Sequence, residues 1–382
     1  MPLACAFAWP SGRPWRPGGK PPNRAVSYSE QMPSPRTDPE AKRGELAILG
    51  QIRARAGRSR FPGLALGIGD DCALLRPRPG QELAVTTDLT ICGTHFRLDW
   101  HSPEAAGHRA LARGLSDLAA MGAKPVAAFL SLGLPREFAN PSGPWSASWA
   151  SRFVDGLLNL AAAHKTPLAG GDLSETPIPL ADIVLIGSVP AGQALLRSTS
   201  RPGHLLYVTG WLGGGAAALP HFDRLSKQSQ RKNQARTGGL TPSNIPKHLK
   251  PLLDRHLYPQ PRIAQGLRLR TQSLASAAID LSDGLSTDLT HLCEESHVAA
   301  EVDATLLPIH PGADLSYALH GGDDYELLFT AAPGARIPRQ IAGIPVRCIG
   351  RILRARKGQP TISLLTPQGR QPVTPQGWEH FT

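Results

Sequence analysis

Apolar and polar residues alternate along the first half of the chain in blocks that predict strands and helices in turn. Segments 82–88 and 126–134 are β-prone apolar runs and predict buried strands. Between them, apolar residues of 103–121 recur at helical spacing, and Pro103 suits the first turn of a helix. The same patterns predict helices at 45–52 and 149–164 and strands at 167–172 and 183–189.

The second half repeats this arrangement loosely. It opens with a predicted strand at 205–209, a glycine loop and an Ala-rich helix, and continues with a strand at 277–281 and a helix at 284–295. Strands and helices mix without strict βαβ regularity, which predicts an α/β or α+β fold. At 382 residues the chain is long enough for two domains, expected at 41–192 and 193–382.

Residues 1–40 are rich in Pro and Arg and poor in periodic apolar positions, so we expect a disordered basic tail. The first residues lack the charged start of a secretory signal, and no uncharged apolar run reaches about 18 residues. We therefore expect a cytoplasmic protein that is not in a membrane.

Charge and cysteine content narrow the possible functions. The net charge is +11, but +4 lies in residues 1–43 and +6 in residues 221–256, which leaves +1 for the rest. The second of these stretches predicts a basic surface insertion at about 222–250. With a near-neutral body, nucleic acid is not the expected partner. Five cysteines without a CxxC pair argue against disulfides and a zinc cage.

Aspartates beside Gly, Ser or Thr recur at the edges of the apolar segments. A lone Asp-Asp pair is more often an Asx turn, but seven such acids repel one another unless cations bind. Histidine is absent from these sites and Cys72 is the one cysteine beside them, so two or more Mg²⁺ ions are the expected metals. The acids are Asp70, Asp71, Asp88, Asp117, Asp172, Asp280 and Asp283.

The glycine loop at 210–215 can be interpreted in two ways: its backbone N–H groups hold a phosphate, or its glycines permit tight packing. It lacks the Lys-Ser/Thr ending of a P-loop, and the protein-kinase motifs are absent. Several magnesium ions and glycine loops together point to phosphoryl transfer from a nucleotide.

Seven blocks in order carry a resemblance to the thiamine-monophosphate kinase family, from about residue 45 to 381. They are GIGDDCALL, TTDLTICGTHF, ALARGLSDLAAMGA, GGDLSET, IDLSDGLSTDLTHL, GGDDYELLFT and GWEHF. The resemblance implies a two-domain aminoimidazole ribonucleotide synthetase-like fold, in which the N-terminal α/β domain has a mixed sheet. It also implies a homodimer that uses ATP and Mg²⁺ to convert thiamine monophosphate to thiamine diphosphate by direct transfer, without a protein nucleophile.

The resemblance also assigns roles position by position. The implied magnesium ligands are Asp71, Thr86, Thr87, Asp88, Asp117, Asp172, Asp280 and Asp283. The implied ATP contacts are Gly171, Asp172, Arg197 and Ser282, and the implied contacts to thiamine monophosphate are His95, Asp323 and Trp378. The family usually has Glu where Asp323 stands, so the charge is kept and the reach is about one methylene shorter.

Simpler roles stay open for several of these residues. His95 can be a histidine at the core edge, Trp378 can pack the C-terminus, Arg197 can be solvated, and Asp283 can cap a helix. For the whole chain, the alternatives are a related ATP-dependent enzyme with another small substrate, or a non-catalytic protein that binds nucleotide or nucleic acid.

Overall fold

The computed structural model of the chain describes residues 45–56, 61–139, 147–231 and 245–378. The expected N-terminal tail, residues 232–244 of the expected insertion and the last three residues of GWEHF lie outside these ranges. No helix within the ranges is long and apolar enough to cross a membrane.

The first half contains a mixed sheet. Within the described residues its order is β3-β6-β4-β5, in which only β4 and β5 run parallel. The short strands β1 and β2 form a separate antiparallel pair. The elements are α1 (Glu45–Ala56), β1 (Leu64–Leu66), β2 (Leu74–Leu75), β3 (Gln81–Ile91), α2 (Pro103–Ala120), β4 (Lys124–Leu134), α3 (Trp149–Ala163), β5 (Leu168–Glu175) and β6 (Leu180–Pro190).

The second half contains another mixed sheet. Its order in the described chain is β14-β13-β9-β12-β7-β10-β8, β11 pairs with β12, and only β13 and β9 run parallel. The strands are β7 (Leu205–Thr209), β8 (Ala277–Asp280), β9 (Val298–Asp303), β10 (Leu327–Ala331), β11 (Gln340–Ile341), β12 (Ile344–Arg354), β13 (Ile362–Thr366) and β14 (Gly369–Pro372). The helices are α4 (Gly214–Ala217), α5 (Leu219–Arg231), α6 (Lys250–Leu257), α7 (Ile263–Thr271), α8 (Leu285–Glu295) and α9 (Leu315–His320). The α/β fold class is confirmed.

Helix α2 joins the two sheets. It begins where the Ser102 hydroxyl accepts a hydrogen bond from the Ala105 backbone N–H at 3.2 Å, and Pro103 occupies its first turn. It contacts α3 and β6 on one side and α7 and β8 on the other. Because α2 is covered on both sides, Arg109 is buried and Arg113 and Asp117 are only partly exposed.

The start of the expected surface insertion is part of the core. Phe222 and Leu225 on α5 are buried and pack with Leu252 and Leu253 of α6. These apolar residues lie on one face of otherwise polar, basic helices. The composition of the whole segment therefore did not indicate that they are buried. The expectation of a surface insertion that begins near residue 222 is therefore wrong for Phe222 and Leu225, which are buried.

The contact between α2 and α3 gives a stability prediction. A Cβ added at Gly156 would overlap the Glu104 carbonyl oxygen, and one added at Gly107 would overlap that of Phe153. We expect Gly156→Ala to lower the free energy of unfolding by about 1–3 kcal/mol, because backbone atoms cannot move aside cheaply. Urea denaturation measures this. Gly50→Ala in α1 is the control, since its Cβ meets no atom within 4 Å, and equal stability of Gly156→Ala and wild type would contradict the close approach.

Candidate active site

A cavity of about 410 Å³ lies where α2 meets the second half of the chain. Its wall comes from β3 and the loop that follows, from α2, from the turn after β8 and from the turn before β10. Eight of the residues that the sequence singled out line it: Asp88, His95, Asp117, Asp280, Ser282, Asp283, Asp323 and Trp378.

Three carboxylates come together at one end of this cavity. Asp88 lies on β3, Asp117 in the last turn of α2, and Asp280 at the end of β8. The Ser116 hydroxyl donates to Asp280 Oδ2 at 2.7 Å, and the Thr86 hydroxyl donates to Asp117 Oδ2 at 2.5 Å. The packing of β3 and β8 against α2 thus brings three distant parts of the sequence together.

The electrostatics of this end show mutual repulsion. Burial and the charge of Asp117 raise the pKa of Asp280 to about 7 and that of Asp88 to about 6, and burial raises the pKa of Asp117. Two arginines offset part of the repulsion. Arg113 donates to Asp88 Oδ1 at 3.3 Å, and the charge of Arg197 lowers the pKa of both Asp117 and Asp280.

This donor set fits magnesium. The side chains offer only oxygen, and their raised pKa values show a shortage of positive charge that a divalent cation would supply. In the described ranges, no three His, Cys, Asp or Glu side chains are already arranged around one metal position. Magnesium commonly binds through one or two carboxylates and completes its shell with substrate phosphates and water, so a finished protein cage is not required.

Other sequence-predicted residues lie away from the cavity lining. Thr87 is exposed because side chains alternate across β3, which puts it on the opposite face from Thr86. Asp172 on β5 and Asp71 in the loop before β2 are also exposed. Gly171 has φ of +150°, and a Cβ there would overlap the Leu130 carbonyl oxygen, so close strand packing requires glycine.

Asp323 is held in a network of buried groups. Its backbone has φ of +66°, and its carboxylate accepts from Arg109 Nη2 at 3.0 Å and from the Tyr325 hydroxyl at 2.8 Å. His256 Nδ1 lies 3.5 Å from Asp323 Oδ2. Burial acts to raise the pKa of Asp323, but the charge of Arg109 and the hydrogen bond from Tyr325 hold it well below its usual range. Asp323 is therefore a fixed negative charge in the cavity wall.

Sequence reasoning missed the cationic and aromatic side of the cavity. Arg109 and Arg113 are one turn apart on α2, in line with Asp117. Charged residues repeated every four positions on an otherwise apolar helix were the signal that could have revealed them. The lining also includes Trp100, His101, His256 and Tyr325, which no motif pointed to.

The structure favours packing for the glycine loop. The backbone N–H groups of Gly213 and Gly215 donate to the Asp324 carboxylate at 2.7 and 3.4 Å. A Cβ at Gly215 would lie 2.6 Å from the Asp323 carbonyl oxygen. The donors that a phosphate would need are thus used by the protein's own carboxylate, and the glycines allow the loop to lie against the Asp323 turn.

The structure bears on the simpler roles considered for His95, at the edge of the core, and for Asp283, as a helix cap. The Ile91 backbone N–H donates to His95 Nδ1 at 3.1 Å, so this histidine is anchored to its own loop while it faces the cavity. At the start of α8, the backbone N–H groups of Asp283 and Gly284 donate to Asp288. The capping acceptor there is Asp288, and Asp283 is one of the residues that line the cavity.

Comparison with known proteins shows which class of proteins shares this fold. Residues 69–189 match the family model "AIR synthase related protein, N-terminal domain". Solved structures of the hydrogenase maturation protein HypE share the fold, with a TM-score of 0.61 at 16% identity for the complex with ATP. The fold and the acidic cavity thus define a protein of the AIR synthase-related class.

Closer relatives identify the family within this class. The thiamine-monophosphate kinase of Escherichia coli K12 is 37% identical over 88% of this chain and 98% of its own length, and that of Bacillus subtilis is 32% identical over 83% and 93%. The crystal structure of the enzyme from Stenotrophomonas maltophilia K279a has a TM-score of 0.68 and 36% identity, and covers 83% of this chain and 95% of its own. The structure "AaThiL complexed with AMPPCP and TMP" has a TM-score of 0.65 and 26% identity, and covers 88% and 97%. The chain belongs to the thiamine-monophosphate kinase family.

Proposed function

We propose that this protein transfers the terminal phosphoryl group of ATP to the phosphate of thiamine monophosphate and forms thiamine diphosphate and ADP. The family relation supports this reaction, and one relative has been crystallised with AMPPCP, an ATP analogue, and TMP. The observation that carries the proposal is the grouping of Asp88, Asp117 and Asp280 at one end of a cavity.

The reaction suits this site because the acceptor is already an anionic phosphate. Such a nucleophile needs no strong base, and catalysis depends on charge neutralisation and alignment. We propose that Asp88, Asp117, Asp280 and Asp283 hold magnesium, which would neutralise phosphate oxygens when bound. Arg113 and Arg197 stand beside these acids and would contribute further positive charge.

The remaining roles implied by the resemblance stay predictions. They are magnesium binding by Asp71, Thr86, Thr87 and Asp172, ATP contacts by Gly171, Asp172, Arg197 and Ser282, and substrate contacts by His95, Asp323 and Trp378. Thr86 is supported by its hydrogen bond to Asp117. His95, Ser282, Asp323 and Trp378 are supported by their place in the cavity wall.

The test is to supply ATP and magnesium with thiamine monophosphate or with free thiamine, and to measure ADP and thiamine diphosphate. We expect product from the monophosphate alone, because free thiamine offers no phosphate as acceptor. ATP binding without product from either compound would contradict the proposed substrate and favour another small acceptor. The enzyme is proposed to act in the cytoplasm, where ATP is supplied, and cell fractionation would check this.

We also propose that the protein is a homodimer. The outward face of β3, at the edge of the first sheet, exposes Leu83, Val85 and Leu89 in alternation. Monomeric proteins seldom leave such apolar rows uncovered, and the self-association implied by the family resemblance would cover this one.

Light scattering should give wild type twice the 40.7 kDa chain mass. Val85→Lys is expected to give single chains, because Val85 is 60% exposed and a charge there would be buried in the dimer. Leu306→Lys, at another exposed apolar residue, is the control that keeps the wild-type mass. A dimer that persists in Val85→Lys would place the interface elsewhere.

A further inference from the structure

A short segment between the two sheets carries Arg197. It forms a 3₁₀ helix over Arg197–Thr199, after β6 and before β7. A helix of three residues is too short to be stable by itself, and within the described chain no side chain caps its start at Leu196. Its conformation therefore depends on contacts with the rest of the protein.

The place of Arg197 matters because its charge acts on the acidic end of the cavity. That charge lowers the pKa of both Asp117 and Asp280. Arg113 is paired with Asp88 at 3.3 Å, whereas the Arg197 guanidinium forms no ion pair among the described residues. An exposed guanidinium near these acids is thus available to bind phosphate oxygens. Since no ion pair fixes this side chain, its placement depends on the backbone that carries it.

Two hydroxyl groups anchor that backbone. Ser296, the residue that follows α8, donates to the Arg197 carbonyl oxygen at 2.6 Å and accepts from the Ser200 backbone N–H at 3.0 Å. One side chain thus holds both ends of the short helix. The Thr199 hydroxyl donates to the Ser276 carbonyl oxygen at 2.5 Å. The segment is therefore tied both to the end of α8 and to the residue before β8.

The anchors lie away from the reacting groups. Helix α8 starts beside Ser282 and Asp283, which line the cavity, and Ser296 follows its other end. Eleven residues of α-helix span about 16 Å, so Ser296 is too far from this turn to touch a ligand there. Neither Ser296 nor Thr199 is among the described residues that line the cavity. Any effect of these hydroxyls on the reaction therefore passes through the segment they hold.

We propose that Ser296 and Thr199 are positioning residues for Arg197, which hold the 197–200 segment so that the guanidinium meets the phosphate groups of ATP. Loss of either hydroxyl keeps the charge of Arg197 but lets its backbone move, so that fewer molecules have the arrangement that binds ATP. This inference rests on the proposed function, since ATP is taken to bind at the acidic end.

The test measures binding of AMPPCP with magnesium by calorimetry, for wild type and for Ser296→Ala. We expect the Kd for AMPPCP and the KM for ATP to rise about tenfold, because two hydrogen bonds are lost and the competent arrangement is less populated. The KM for thiamine monophosphate should not change.

Two control variants accompany this measurement. Ser200→Ala is the matched control, because the Ser200 hydroxyl has no hydrogen-bond partner among the described residues. It makes the same chemical change in the same segment and should bind AMPPCP as wild type does. Ser296→Thr keeps the hydroxyl and should bind AMPPCP with nearly the wild-type Kd.

A double variant distinguishes positioning from a general loss of structure. Arg197→Gln removes the charge that Ser296 is proposed to place. If Ser296 acts through Arg197, adding Ser296→Ala to Arg197→Gln should raise the Kd for AMPPCP no further. A merely structural role would raise the Kd by the same factor with and without Arg197.

Thr199→Val removes the second anchor and keeps a side chain of similar shape. We expect it to raise the Kd for AMPPCP about fivefold, and it carries the test if Ser296→Ala does not fold. An unchanged Kd in folded Ser296→Ala, or in Thr199→Val where Ser296→Ala is unfolded, would overturn the proposal. Independent losses in the double variant would overturn it as well.

These experiments separate this inference from the proposed function. Wild type that binds AMPPCP but forms no product contradicts the kinase reaction, and the Kd ratios still decide the role of Ser296. Wild type that forms product while Ser296→Ala behaves identically contradicts the positioning role alone. Wild type that does not bind AMPPCP overturns both.

Discussion

Asp280→Asn is expected to lower kcat roughly a thousandfold and, at the same time, to raise the Tm measured without magnesium. Activity falls because a neutral amide is a poor magnesium ligand. Stability rises because burial and the charge of Asp117 raise the pKa of Asp280 to about 7, so the wild-type carboxyl is costly to bury. The hydrogen bond from Ser116 can persist, since the amide oxygen of Asn accepts it as well.

The pH dependence gives an independent check. Between the ordinary pKa of 3.8 and about 7, the folded protein holds a proton on Asp280 that the unfolded chain has lost. The free energy of unfolding therefore falls as the pH rises through this window. Urea denaturation with a chelator should show a smaller fall in Asp280→Asn than in wild type.

Asp155→Asn is the control for both measurements, since the Asp155 side chain on α3 is 44% exposed and pairs with Arg55 at 3.1 Å. It should leave kcat and the pH dependence as in wild type. Wild-type turnover of Asp280→Asn under saturating magnesium would remove Asp280 from the proposed metal site.

Arg109→Met is expected to lower the free energy of unfolding by about 3 kcal/mol and to raise the KM for thiamine monophosphate. Arg109 is buried and donates to Asp323 and to the backbone carbonyls of His95 and His256. Its loss leaves the Asp323 charge without its main partner. Because Asp323 is 28% exposed, we expect the lower end of the range for a broken buried pair.

Arg152→Met is the matched control for this prediction. Arg152 pairs with Glu104 at 2.6 Å on the surface, where its side chain is 43% exposed. Exposed ion pairs contribute at most about 1 kcal/mol, so this variant should stay close to wild type in stability and KM. Equal urea curves for the two variants would show that the Asp323 network does not stabilise the fold.

The sequence was sufficient for most elements of the first half and for many residues of the cavity wall. Strong apolar periodicity placed α2, α3, β3 and β4 within a few residues. Asp88, Asp117 and Asp280 were recognisable because several aspartates at the edges of apolar segments repel one another unless cations bind. The strands β9 and β12 were not predicted, although both lie inside the second sheet.

The sequence by itself determined the family, the fold class and the acidic chemistry of the site, because these depend on residue type and order. Tertiary structure decided which residues share the cavity. The alternation of β3 separates Thr87 from Thr86, and the burial of α2 between two sheets turns Arg109 and Arg113 toward Asp323 and Asp88. Whether a donor or a charge has a partner depends on contacts between segments far apart in the chain, and local sequence carries no information about those contacts.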